Sequence, residues 1–131
     1  MDLRIVPSPS GDRVLIAIHP TGTQYLTTPY HGGPLQVHRF DDDEVVGAVD
    51  DPEHLHWDFV AGYLDPDRII AAAVHEDGSE HLLTLNREPL EPVAEIAAEG
   101  SVNEWSSLAW VGNGSWVSIG EDAAEMWQLV N

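Results

Sequence analysis

Trp57-Asp58-Phe59-Val60-Ala61-Gly62-Tyr63-Leu64-Asp65-Pro66-Asp67-Arg68-Ile69-Ile70-Ala71-Ala72-Ala73-Val74-His75 sets two apolar runs on either side of an Asp-Pro-Asp-Arg turn. Short runs of branched, aromatic and small apolar residues, closed by Pro and Asp, are the signature of strands joined by a tight turn. Neither run keeps a 3.6-residue period, so a helix is disfavoured. The same grammar extends in both directions. It predicts strands over 3–6, 14–19, 24–28, 35–40, 57–64, 69–75, 81–85, 93–97, 105–111, 116–119 and 125–130. The segment Glu91 to Glu99, rich in Ala and Glu, would also suit a short helix.

Internal similarity is sought before a fold is assigned. Pro9-Ser10-Gly11-Asp12-Arg13 aligns with Asp65-Pro66-Asp67-Arg68, and Val14-Leu15-Ile16-Ala17 then falls on Ile69-Ile70-Ala71-Ala72. His19-Pro20-Thr21-Gly22-Thr23 falls on His75-Glu76-Asp77-Gly78-Ser79 with one residue of slippage. A third copy runs ungapped from Trp105 to Gly120 against Trp57 to Ala72, setting Asn113-Gly114 on the Asp65-Pro66 turn. The expected organisation is one all-β domain of three units, about 1–53, 54–101 and 102–131.

These units resemble degenerate WD40-like propeller blades. The turns Ser8-Pro9-Ser10-Gly11-Asp12 and Leu64-Asp65-Pro66-Asp67 are similar to the family's turn after the innermost strand, and Gly120-Glu121-Asp122 to Met126-Trp127-Gln128-Leu129 is similar to its third strand. The resemblance implies radially packed antiparallel blades, an open β-sandwich being the alternative. Propellers typically close with four to eight blades. Three blades, the last short of its fourth strand, therefore imply completion by a second copy, most simply as a closed homodimer forming a six-bladed ring. The blade mapping further implies that Asp41, Asp42, Asp43, Glu44, Asp50, Asp51, Glu53, Glu76, Asp77, Glu121 and Asp122 gather on one face. Arg13, Arg68 and Arg87 then go to the other.

Composition sets the class of partner. Of 131 residues, 43% are hydrophobic, enough for a packed core. There are 23 acids against five arginines and no lysine, for a formal charge of −18. That charge disfavours nucleic acid and anionic membranes and favours a neutral or basic protein. It is also what a salt-adapted or high-GC genome would produce. No run approaches the roughly 18 apolar residues of a membrane span, and Met1-Asp2-Leu3-Arg4 does not open a secretory leader, so a soluble cytoplasmic protein is expected. Cysteine is absent, which excludes thiolate metal sites and thiol nucleophiles.

Candidate chemistry is sparse. His54-Leu55-His56 has metal-like alternation, and Asp50, Asp51 or Glu53 would complete a ligand set for a metal-dependent hydrolase. The plainer reading is a polar loop before Trp57. His19 and His75, at matching places, are expected to make a repeated turn hydrogen bond. No nucleophile elbow, phosphate loop or zinc helix motif is present. The five tryptophans are expected in the core, and Tyr30 is the aromatic best suited to surface contact. The expectation is a protein without enzymatic activity or cofactor that binds a basic partner, with an inhibitor or immunity-type protein as its concrete form. A self-assembling structural subunit is the alternative.

Overall fold

The computed structural model describes residues 13–29, 32–96, 108–112, 115–119 and 124–128. These residues are all-β, with three antiparallel sheets and no helix among them. The first sheet holds β1 (Arg13–Ile18), β2 (Gln24–Pro29), β3 (Leu35–Arg39) and β4 (Val45–Val49) in chain order. The second holds β5 (Leu55–Asp65), β6 (Arg68–His75), β7 (Glu80–Arg87) and β8 (Leu90–Ile96), again in chain order. In the third, β10 (Ser115–Ile119) lies between β9 (Leu108–Gly112) and β11 (Ala124–Gln128). Among the expectations, the strand at 3–6, the turn at 8–12, Tyr30, Trp105, Asn113-Gly114, Glu121 and Asp122 lie outside the described residues.

The second sheet is the centre of the molecule, and β6 shows why. Alternate strand residues face opposite sides. Ile69, Ala71 and Ala73 join Leu26, Leu35, Val37, Trp57, Tyr63, Leu85 and Leu90 in a core against the first sheet. Ile70 and Ala72 join Leu64, Leu82 and Trp116 in a second core against the third sheet. A strand covered on both faces must be apolar at consecutive positions, which is how Ile69 to Val74 reads. Full burial of Ile69 and Ile70 contributes roughly 1.5–3 kcal/mol apiece.

Sheet-to-sheet packing sets the ends of the molecule. β5 lies against β1 and β2 on one side and β9 on the other, and β4 touches β8. At that last contact a Cβ on Gly47 would stand 3.4 Å from Leu90 Cβ, in van der Waals contact with β8. β8 is a strand and not a helix. It carries Pro92 opposite Leu85 and tolerates it because β8 is the edge of its sheet.

One strand was not expected. Val45-Val46-Gly47-Ala48-Val49 forms β4, paired with β3 from Leu35↔Val49 to His38↔Val45. Its presence changes where every following loop emerges. The sequence alignment set β1 on β6, but among the described residues β1 is the first strand of its sheet as β5 is of the next, and it ends at the same end of the molecule, where His19 Nε2 donates to the Pro66 carbonyl at 3.0 Å. β9 packs against β5, and Trp116 of β10 enters the second core.

Candidate functional site

Loops leave the sheets at two ends. At the His19 end are the β1–β2 turn, the β3–β4 turn, whose Phe40 N donates to Thr23 O at 3.1 Å, and the β5–β6 turn at Pro66. At the His75 end are the β2–β3 loop, the β4–β5 connection and the β6–β7 turn. The pairing Leu55↔His75 sets those last two side by side, and Asp51 ties in Gly33 of the first. Since the chain reverses at each strand, the turns before and after β4 fall at opposite ends.

The acidic residues therefore do not share one face. Asp41, Asp42, Asp43 and Glu44 stand at the His19 end, together with Arg39, Arg68 and Arg87. Asp50, Asp51, Glu53, Glu76 and Asp77 stand at the His75 end. Arg13, expected with the other arginines, begins β1 near the His75 end, and its Nη2 donates to Pro34 O at 2.6 Å. The reason for both departures is the unrecognised β4, which reverses the chain once more than the blade mapping allows.

The two groups of carboxylates have different partners. Arg39 holds Asp42 through Nε at 3.1 Å and Nη2 at 2.7 Å, and reaches Glu44 with Nη2 at 3.0 Å. The Arg39 hydrogen bonds pull the Asp42 carboxyl down to about 2. Asp43 Oδ1 accepts from the Tyr25 hydroxyl at 2.5 Å, and burial together with that carboxylate pushes the Tyr25 phenol up to about 12. Nearby, Arg68 Nε donates to Asp65 Oδ2 at 2.6 Å and Arg87 Nη2 lies 3.5 Å from Asp67 Oδ1. Partial burial is the largest influence on Asp65 and raises it, but the hydrogen bonds from the Arg68 side chain and from the Asp67 and Arg68 backbone, with the Arg68 charge, together leave the carboxyl below its ordinary value.

At the His75 end the partners are imidazoles. His56 Nδ1 lies 3.0 Å from Asp51, His75 Nδ1 3.2 Å from Asp77 and His54 Nε2 3.5 Å from Glu53, while His81 Nδ1 pairs with Glu95. No arginine reaches Asp50, Asp51, Glu53, Glu76 or Asp77 among the described residues. Asp51 braces the local backbone, since its Oδ1 accepts from Trp57 N at 3.1 Å and its Oδ2 from Gly33 N at 3.4 Å. Glu53 and Asp77 keep 90% and 66% of their side-chain surface exposed, so their charge faces solvent. Hydrogen bonds from the Ser79 side chain and backbone hold the Asp77 carboxyl below its usual range.

The histidines divide as follows. His54 and His56 take different carboxylates, and His54 (φ 63) turns toward His75, ring centroids 6.4 Å apart. Among the described residues no set of three His, Asp or Glu is placed to hold a metal ion. The turn bond expected of His19 and His75 is present in both: Nδ1 accepts from Thr21 N at 3.1 Å in one and from Asp77 N at 3.2 Å in the other. Each turn then closes on a glycine at φ 72 or 88, Gly22 or Gly78, whose N donates to the histidine carbonyl at 2.8 Å. The one-residue slippage is visible as well, because His19 N bonds Gln24 O whereas His75 N bonds Ser79 O. Of the tryptophans, Trp57 and Trp116 are buried, and Trp116 stacks on Trp127 at 6.4 Å. The sequence reading passed over Arg39, whose position two residues before an Asp-Asp-Asp-Glu run is the available signal for a charge clamp.

No known protein family, curated protein or solved structure matches the chain. No helix of the described residues is long and apolar enough to cross a membrane.

Proposed function

We propose that the chain is a non-catalytic protein-binding module whose His75 end docks a basic partner, in the manner of a small inhibitor or immunity-type protein covering a cationic toxin or nuclease. One observation carries this reading: among the described residues, no guanidinium pairs with the carboxylates at that end, whereas arginines pair with several at the other. Asp50, Glu53, Glu76 and Asp77 then supply unneutralised negative charge that steers a cation by long-range attraction. The test is capture of partners from lysate of the source cell on the wild-type chain and on a D50N/E53Q/E76Q/D77N variant. The reading predicts a basic protein, retained by the wild type at low salt, released at high salt and lost in the variant. Equal capture by both chains would defeat it.

A second reading is supported by the sheets. Large apolar side chains are exposed on all three: Leu15, Ile18 and Val45 on the first at 42%, 56% and 45%, Phe59 and Val93 on the second at 48% and 60%, and Met126 on the third at 74%. On this reading a second copy covers those surfaces and extends the stack toward a closed, WD40-like propeller ring. Sedimentation would show a dimer that persists in high salt, because apolar packing is not screened. A monomer at micromolar concentration would remove this reading.

A further inference from the structure

Between the first and second sheets, at the His19 end, lies a cleft of about 100 Å³ lined by Gln24 of β2, Val37 of β3, Val46 of β4, Arg87 of β7 and Glu88 of the turn that follows. Strand alternation explains which side chains enter it. Gln24 lies two residues before Leu26 and shares the core-facing side of β2. Arg87 lies two residues after Leu85 and shares the core-facing side of β7. The inward-facing rows of both strands therefore end here in a polar side chain directed at the opposite sheet.

Two of those side chains bury a polar atom that the protein does not answer. Gln24 Oε1 and Arg87 Nε are both buried, and neither has a hydrogen-bond partner in the chain. Buried polar atoms in native proteins are nearly always paired, because an unpaired one gives up its hydration without return. The two atoms are complementary in kind: a guanidinium N–H can only donate, and an amide oxygen can only accept. Yet they do not bond each other. The Arg87 head group is held loosely, its Nη2 3.5 Å from Asp67 and 4.0 Å from Glu88. The Tyr63 hydroxyl, a third buried atom without a partner in the chain, lies on the same face of the second sheet, near enough to feel the Arg87 charge.

We propose that this cleft binds a small neutral ligand bearing a carboxamide, whose C=O accepts from Arg87 Nε and whose N–H donates to Gln24 Oε1. Other ligand classes leave a charge or a polar atom unanswered. An apolar ligand would keep both atoms buried and unpaired. A carboxylate would take the Arg87 donor but face the Gln24 oxygen and the carboxylates of Asp67 and Glu88. A cation would be repelled by the guanidinium. About 10–15 Å³ admits one water, so the cleft has room for several waters or for one small organic group. Val37 and Val46 supply an apolar wall for the ligand's carbon atoms, and Val46 and Glu88, both exposed, open the mouth to solvent. The site stands at the opposite end from the docking surface proposed above, so occupancy of one leaves the other open.

Titration of the intact ¹⁵N-labelled chain with acetamide, acetate and methylammonium at millimolar concentrations, read on the Arg87 Nε–H and Gln24 side-chain amide signals, tests this. The expected result is saturable shifts of both signals with acetamide and little movement with either charged probe. Gln24→Met keeps the side-chain length and removes the acceptor, so affinity for acetamide, read at Arg87, should fall by about fivefold. Acetamide affinity unchanged in that variant would overturn the proposal. Saturation by acetate or methylammonium in preference to acetamide would overturn it in favour of an ion site, and signals that saturate with no probe would reduce the cleft to a place for water only. The order of the three probes is read on the native chain, so it decides the matter even where Gln24→Met does not fold.

Discussion

The two ends of this molecule are built from the same carboxylates and differ in what answers them. At the His19 end Arg39, Arg68 and Arg87 pair with Asp42, Glu44, Asp65 and Asp67. An arginine is charged at every pH a folded protein meets, so four carboxylates at that end have a permanent counter-charge. At the His75 end Asp51, Glu53, Asp77 and Glu95 meet histidine rings instead of guanidinium groups. The difference teaches that an acidic run in sequence is not equivalent to an acidic surface. Asp41 to Glu44 is the densest run in the chain, yet three of its four carboxylates are already engaged by Arg39 or Tyr25.

The comparison can be broken most severely through association kinetics. Neutralising Asp50, Glu53, Glu76 and Asp77 together should slow capture of a basic partner by about tenfold or more at low salt, whereas Asp41→Asn with Asp42→Asn should change it far less. Stopped-flow or surface-based rates would reveal an inversion of that order. A stability difference comes next. Asp51→Ala removes the acceptor of Trp57 N, Gly33 N and His56, and should cost roughly 1–3 kcal/mol, read as a lower urea midpoint. Glu53→Ala, at the same end but solvent-facing, should stay within about 0.5 kcal/mol of wild type.

Acid pH sharpens the comparison from the other side. The unfolded chain protonates His38 from about pH 6.5 downward while the folded chain resists, so the unfolded state binds more protons there. Stability is therefore complete above that pH and declines as pH falls through it toward the lower folded value. His38→Asn should flatten this part of the profile, measured as thermal midpoint against pH. A smaller change is expected from Arg39→Gln. Without the guanidinium the Asp42 carboxyl should climb from about 2 toward its ordinary 3.8, visible by carboxyl NMR, with little effect on folding because both groups are exposed.

Most strands were legible because their apolar runs are bounded by Gly, Pro and Asp, and β5 to β7 were the clearest for that reason. β4 was hidden. Val45 to Val49 follows four acids, precedes two more, and carries Gly47 at its centre, all of which read as loop. Its glycine lies against Leu90 of β8, a contact 43 positions away that no local pattern reports. The missed strand then reassigned the acidic loops to two ends, because parity in a meander is cumulative. Similarity between His19 and His75 was real at the level of turn hydrogen bonds, yet the two turns lie at opposite ends. Local chemistry was readable, whereas its placement depended on counting every strand.

The central claim is that, among the described residues, arginines pair with carboxylates at the His19 end and with none at the His75 end. A titration of ¹⁵N-labelled chain with a short oligo-arginine peptide, followed by amide shifts at low salt, tests it most directly. The account predicts saturable shifts concentrated in residues 50–56 and 75–81, with residues 40–44 nearly still. Shifts of equal or greater size in 40–44 would contradict it.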